Sequence, residues 1–555
     1  DDPAASFIGR TPINRSVGSP ETFSRARDWI SECDNQHKNC PKLESVILPT
    51  RLIDVSVPGK PFLYVSGLEE TGAYASLSYC WGGPQPFKTT LENIEEYQKI
   101  LPESELPQTI RDAITASHQL GFQFLWIDSL CIIQNSSTDV EKEIARMQEI
   151  YKNSAVTIAA ANADKCSDGF LYERPSSSLE FCIPFPCGED GQGAVFLRDW
   201  DVGKWREPLS ERAWTFQEMT LSPRVLIYGA KQLYWRCPTA FYADGGDMTW
   251  DNYCDRTSTS TLQSTWTFFK ENLRPKEPSY SLTDGKRRRS WINIVNDYTR
   301  RKLSVQDDKL LALSGIATEF HNSFGWSYLA GLWKESLTDD LMWRRAKPDP
   351  DLHPLSYRAP SWSWVSCYGA ISYDDPNEAF YDGHVKRSYV MARRVVAEII
   401  SCQTSLFSTD VPFGRVIDGK LTLRAPLKHA EMECLTDYIG SLVGSGSTAS
   451  TNMGNAERPS VGHVWLDGPK GVNKEQQSPI SQDKKRSSSP VFCLIVQFKG
   501  KSDTEMFAQG LVLKQVSAED DSQGQLYRRV GLFECSDSVE EAFFENCPEH
   551  TVVII

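Results

Sequence analysis

The chain has 555 residues, 40% hydrophobic and 24% charged, which is the balance of a globular protein and enough length for roughly two to four domains. Its formal net charge of −14 argues against binding that depends on neutralising nucleic-acid phosphate. No apolar run reaches bilayer length, and the opening DDPAASFIGR lacks the basic and apolar regions of a secretory signal, so the expectation is a cytoplasmic protein with no membrane span.

Residues 1–73 read as a lead-in packed on the domain that follows. Phe23, Ala26, Trp29 and Ile30 are spaced for one face of a helix, and LPTRLIDVS reads as a strand. Between them, CDNQHKNC brings Cys33, His37 and Cys40 together. Zinc needs a fourth ligand, and this spacing matches no standard half-site, so the expectation is loop packing or a helix end, and no metal. The fifteen cysteines of the chain are odd in number and scattered, which points to buried or free thiols over a disulfide framework.

Residues 74–245 carry the clearest pattern. YASLSYCWGG (74–83) alternates and stops at paired glycines, as a strand entering a tight loop would. LPQTIRDAITASHQLG (106–121) is a helix, with Pro107 at its start and Gly121 at its end. FQFLWID (122–128) is a buried strand. A second helix follows at 139–154, with Asp139 as its expected N-cap and Val140, Ile144, Met147 and Tyr151 on one face. AVTIAAA (155–161) is a further strand, and this alternation implies a parallel sheet. LSERAWTFQEMTLS (209–222) is helical, and RVLIYGAKQLYWRC (224–237) reads as two strands around a turn.

The stretch 246–358 is mostly helical, with RSWINIVNDYTRRKL and DDKLLALSGIATEF its strongest segments. From 359 to 555 strand patterns dominate, and Asp418-Gly419 is expected to be a hairpin turn. A Gly/Ser/Asn/Lys-rich run near 443–490 reads as a flexible insertion. SWSW (361–364) reads as an interdomain packing strip, and the basic runs KRRR (286–289) and KKR (484–486) as solvated surface.

YASLSYCWG, LPQTIRDAI, LWIDSLCIIQ, EIARMQEIYKNSAVTIAA and ERAWTFQEMTLS, in this order, resemble the fungal heterokaryon incompatibility (HET) domain over roughly residues 74–220. That family is associated with non-self recognition and cell death. The HET domain in turn is similar to the Toll/interleukin-1 receptor (TIR) domain, which implies a TIR-like (flavodoxin-like) α/β fold. SLSYCWGG sits at the first strand and loop of that fold, FLWIDS at its second strand, and SERAWTFQEM at the helix whose Glu is catalytic in TIR enzymes that cleave NAD. The resemblance places Glu218 at the catalytic position and Trp214 at the motif's tryptophan. Thr215 departs from it, standing where the motif has a cysteine, and the stretch before the helix is long.

Ligands in an open parallel sheet bind beyond the carboxyl ends of the strands. Tyr79, Trp81 and Gly82 follow one strand, and Asp128 and Ser129 follow another. Glu218 on an apolar helix suits acid/base work or stabilisation of a positive transition state, unless it is a surface group or pairs with Arg212 or Arg224. Asp128 either contacts a ribose or phosphate-bridging group or caps the next turn. Tyr79 and Trp81 either stack on a base or pack in the core, with Gly82 admitting backbone close to a phosphate. Cys131 has no histidine suited to activate it, since His118 falls on the flank of its helix, so it reads as a small buried residue. The resulting expectation is a HET protein that hydrolyses NAD, as substrate and not cofactor, or a related nucleotide. The alternatives are a self-associating death or signalling adaptor and a biosynthetic enzyme acting on a hydrophobic small molecule.

Overall fold

The computed structural model describes residues 2–8, 13–174, 180–188, 191–198, 207–246, 284–346, 357–373, 392–434, 439–444, 460–467, 488–502, 505–516, 525–535 and 542–555. The basic run 484–486 lies outside them. The chain forms two compact units. The first contains Asp1–Ser281, Arg301–Ser304 and Ala312–Glu319; the second contains Leu282–Arg300, Val305–Leu311 and Phe320–Ile555.

The first unit is built on an eight-stranded sheet. Helix α1 (Pro20–Gln36) opens it, capped by Ser19, whose side chain accepts the Thr22 amide, with Pro20 in its first turn. The sheet elements then run β1 (Arg51–Asp54), β2 (Phe62–Val65), β3 (Tyr74–Ser78), α2 (Gln108–Gln119), β4 (Phe124–Trp126), α3 (Ser137–Asn153), β5 (Val156–Ala159), α4 (Ala213–Leu221), β6 (Val225–Tyr228), β7 (Leu233–Arg236) and β8 (Phe241–Ala243). Their spatial order is β8-β7-β6-β5-β3-β4-β1-β2.

Strands β6, β5, β3 and β4 pair in parallel. The expected parallel sheet is therefore only the centre of a mixed one. On one side the lead-in supplies antiparallel β1 and β2; on the other, the chain folds back as antiparallel β7 and β8. The lead-in is thus part of the sheet itself. In chain order the four parallel strands stand 2-1-3-4, so the direction of travel reverses at β3, which is where open α/β sheets form their ligand crevice.

Strands β3, β4 and β5 are buried at every position. The expected alternation in YASLS is absent because both faces of the central strands are covered. Ser76 and Thr157 lie in this interior and satisfy one another at 2.8 Å, and Thr157 also meets Ser222 at 2.6 Å. On α3, Ser136 is the N-cap in place of Asp139. Asp139 instead accepts the Ile133 amide and pairs with Arg51 at 2.5 Å, and the buried face carries Glu143, Met147, Ile150 and Tyr151.

The second unit contains helix α5 (Asp284–Tyr298). Arg288, in the basic run 286–289, is not solvated surface: its Nε lies 2.8 Å from the fully buried Asp340. Trp362 and Trp364 of SWSW are 0% exposed, and within this unit they accept and donate bonds with Trp343 and Gly331.

Strands β9 (Val416–Cys434), β10 (Ile439–Gly444), β11 (Ser460–Leu466), β12 (Ser488–Ser502), β13 (Glu505–Val516) and β14 (Leu526–Glu534) pair antiparallel in the ring β9-β10-β11-β14-β13-β12-β9, a closed barrel filled by residues such as Val464, Val491, Ile495, Val512 and Phe533. Residues 460–466 thus place a barrel strand inside the stretch expected to be an insertion. Asp418 and Gly419 are not a turn. They continue β9, opposite Ser405 and Thr404, and a Cβ on Gly419 would come 2.3 Å from the Pro360 ring. The glycine serves close packing against the strand.

Candidate functional site

The carboxyl ends of β3 and β4 gather most of the residues singled out by sequence. Asp128 begins the one-turn helix Asp128–Cys131 directly after β4. Its Oδ1 accepts the Ser129 amide at 2.6 Å and its Oδ2 accepts Trp81 Nε1 at 2.9 Å. Its side chain therefore binds the amide of the next residue and also holds the loop that follows β3; the N-cap position of the turn belongs to Ile127. Burial raises its pKa, against the lowering influence of Arg212 and these donors.

Ser129 and Tyr79 meet at 2.9 Å between hydroxyls, and Gln85 donates to the Tyr79 oxygen at 2.8 Å. Tyr79 is 3% exposed, so its ring belongs to the core and does not offer a stacking face. Trp81 is half-buried and packs on the same core. Gly82 has φ +73°, and a Cβ there would lie 2.0 Å from Lys165 Cβ. The glycine admits the neighbouring 164–165 segment, and its space is already filled.

Glu218 lies on α4, packed against β3 and α3. It is 6% exposed, and Ser78, the last residue of β3, donates to its Oε2 at 2.5 Å. Desolvation pushes its pKa up to about 7; Ser78, Arg212 and Tyr151 pull it down, while the charge of Asp128 pushes it further up. The two carboxyl groups are thus electrostatically linked, with Arg212 acting on both. Arg212 also donates to the Tyr79 carbonyl, which fixes its guanidinium at the end of β3. Ser222, at the end of α4, donates to the Glu218 carbonyl at 2.6 Å and meets Thr157 of β5 at 2.6 Å, which ties the end of the helix to the sheet.

Trp214 is half-buried against the core of this unit. Thr215 is fully buried, and its hydroxyl donates to the Leu209 carbonyl at 2.6 Å. Cys131 is 0% exposed and burial pushes its thiol up to about 12, so it is inert as a nucleophile. His118 turns to the Val55 carbonyl, 3.1 Å away.

Sequence reasoning missed Ser78 and Tyr151, and took Arg212 only as a partner that would neutralise Glu218. Ser78 read as an ordinary strand residue and Tyr151 as one of an apolar helical stripe. The signal for Arg212 was its place immediately before α4, where it reaches back to β3.

A second constellation lies away from this one. Cys237, in the turn between β7 and β8, joins Cys33, His37 and Cys40; all four are buried and their ligand atoms lie within 4.8 Å of one another. The fourth member that local spacing lacked comes from 200 residues beyond His37.

Residues 74–218 match the family model described as heterokaryon incompatibility protein (HET). This span opens with β3 and closes at Glu218. No curated protein and no solved structure matches the chain.

Proposed function

We propose that this heterokaryon incompatibility domain protein hydrolyses the N-glycosidic bond of NAD or a related nucleotide, with Glu218 as its catalytic carboxylate, and acts in fungal non-self recognition and cell death. The observation that carries the reading is Glu218 itself, a buried carboxyl with a pKa raised to about 7, at the carboxyl end of the parallel strands and electrostatically linked to Asp128 and Arg212. The 2-1-3-4 order of those strands supports a TIR-like, flavodoxin-like core, in which the crevice belongs at β3.

Departure of nicotinamide leaves positive charge on the ribose, as in glycoside hydrolysis. An ionised Glu218 stabilises that charge, and water completes hydrolysis at the same carbon. Asp128 and Ser129 would meet ribose hydroxyls or the diphosphate bridge, while Arg212 would offset diphosphate charge. Half-buried Trp81, which donates to Asp128, and half-buried Trp214, on the helix that carries Glu218, would supply aromatic faces to the nucleotide.

A second reading rests on the burial of Glu218 and its short bond from Ser78. In it, Glu218 is a pin that holds α4 on β3, and the domain acts by self-association. One experiment separates the two: purified protein is incubated with NAD and released nicotinamide is measured. Glu218→Gln keeps the side-chain shape and can still accept from Ser78. The expected outcome is a loss of at least about 100-fold in turnover with an unchanged circular dichroism spectrum. Undiminished turnover by the variant, or none by the parent, overturns the catalytic assignment.

A further inference from the structure

We propose that Cys33, His37, Cys40 and Cys237 bind one structural zinc ion that fastens α1 to the β7–β8 turn. Cys33 and His37 are four residues apart at the end of α1 and share a face, and Cys40 follows in the loop that leaves it. Ideal tetrahedral zinc, with bonds of about 2.3 Å to sulfur and about 2.0–2.1 Å to nitrogen, places nitrogen and sulfur ligands about 3.5 Å apart. His37 Nδ1 lies 3.7 Å from Cys40 Sγ and 3.4 Å from Cys237 Sγ.

The surroundings are those of a metal site as well. The other ring nitrogen of His37, Nε2, faces Glu32 Oε1 at 3.4 Å, and Tyr242 donates to that same oxygen at 2.5 Å. A proton on Nε2 directed at Glu32 leaves the Nδ1 lone pair turned toward the three sulfurs, the arrangement that second-shell carboxylates impose on metal-bound histidines. The Ala240 amide donates to Cys237 Sγ at 3.2 Å, and Thr239 Oγ1 lies 3.3 Å from Cys40 Sγ. Three thiolates and Zn²⁺ leave one net negative charge; buried Arg224, bonded to the Pro41 carbonyl beside Cys40, brings the opposite charge close.

Three sulfurs and one imidazole favour zinc over magnesium or calcium, which prefer oxygen. A single disulfide would consume two of the three thiols and leave the histidine unexplained. Four protein donors close the coordination sphere and leave no position for a reacting water, so the role is structural. Binding would require deprotonated cysteines and would contribute directly to folding, because Cys237, 200 residues beyond His37, joins the other three only in the fold.

The test uses the full chain, produced with zinc present and purified without chelator. Elemental analysis should find one zinc per chain, and cobalt substitution should give the visible absorption bands and sulfur charge-transfer of a tetrahedral thiolate site. Cys237→Ser should lower zinc content at least about tenfold, while Cys166→Ser, at a buried cysteine outside the cluster, should leave it unchanged. If Cys237→Ser does not fold, the zinc content and cobalt spectrum of the parent protein decide the matter. Folded parent protein without stoichiometric zinc and without the cobalt bands, or with a Cys33–Cys40, Cys33–Cys237 or Cys40–Cys237 disulfide in its peptide map under reducing purification, overturns the proposal.

Discussion

Glu218 binds its proton more tightly in the folded protein than an ordinary carboxyl does, because the ionised form has left water and sits in the field of Asp128. Its unfolded value lies near 4.5 and its folded value near 7, so between these limits the folded state keeps a proton that the unfolded chain has released. The stability linked to that proton is complete below about pH 4.5 and is lost as pH rises through 7. The loss amounts to roughly 3 kcal/mol at most. Glu218→Gln does not titrate, so urea midpoints of parent and variant should diverge from pH 4.5 to 7, with the parent falling relative to the variant. A constant difference across that range would mean that Glu218 titrates normally. Should it act as the ionised carboxylate proposed above, kcat/KM would rise through the same upper limit. The tendency toward a raised pKa was legible in AWTFQEM, since an apolar helix around a Glu implies desolvation. The donor that opposes it, Ser78, lies 140 residues away and leaves no local trace.

Strand β1 shows the same division between local and distant signals at the scale of elements. Its hydrophobic residues announce a buried strand, but Arg51 within it is buried too. The guanidinium donates through Nε to the Cys131 carbonyl at 2.6 Å, pairs with Asp139 at 2.5 Å and faces the fully buried Glu143 at 3.8 Å. One side chain therefore ties the lead-in to the one-turn helix after β4 and to α3. Arg51→Met preserves much of the apolar stem and leaves two acids without that cation. The expected cost is about 3–5 kcal/mol in urea unfolding. A change below about 1 kcal/mol, the range of an exposed ion pair, would show that the cluster is effectively solvated. Apolar spacing placed α1 and, between Pro107 and Gly121, α2, and short apolar runs placed the central strands, because those features are local. The same reading of the sequence misassigned the Asp139 cap and the Asp418-Gly419 turn, since each is decided by a partner far along the chain: Arg51 for the first and Pro360 for the second.

Each of the two compact units has its own buried core. The first is centred on residues such as Leu77, Trp126, Ile158 and Trp235, and the barrel of the second on Val464, Ile495, Val512 and Phe533. A chain with separate cores need not unfold in one step, so the calorimetric enthalpy should exceed the van't Hoff enthalpy. Two perturbations should identify the components. A strong zinc chelator acts on Cys33, His37, Cys40 and Cys237, all in the first unit, and should lower one component. Gly510→Ala acts on the barrel: its Cβ would stand 2.0 Å from the Leu494 carbonyl oxygen on the adjacent strand, where backbone cannot yield without breaking pairing. That substitution should lower the other component and leave bound zinc unchanged. A single transition with equal enthalpies, displaced by both perturbations, would contradict separate unfolding and make the two cores one cooperative unit.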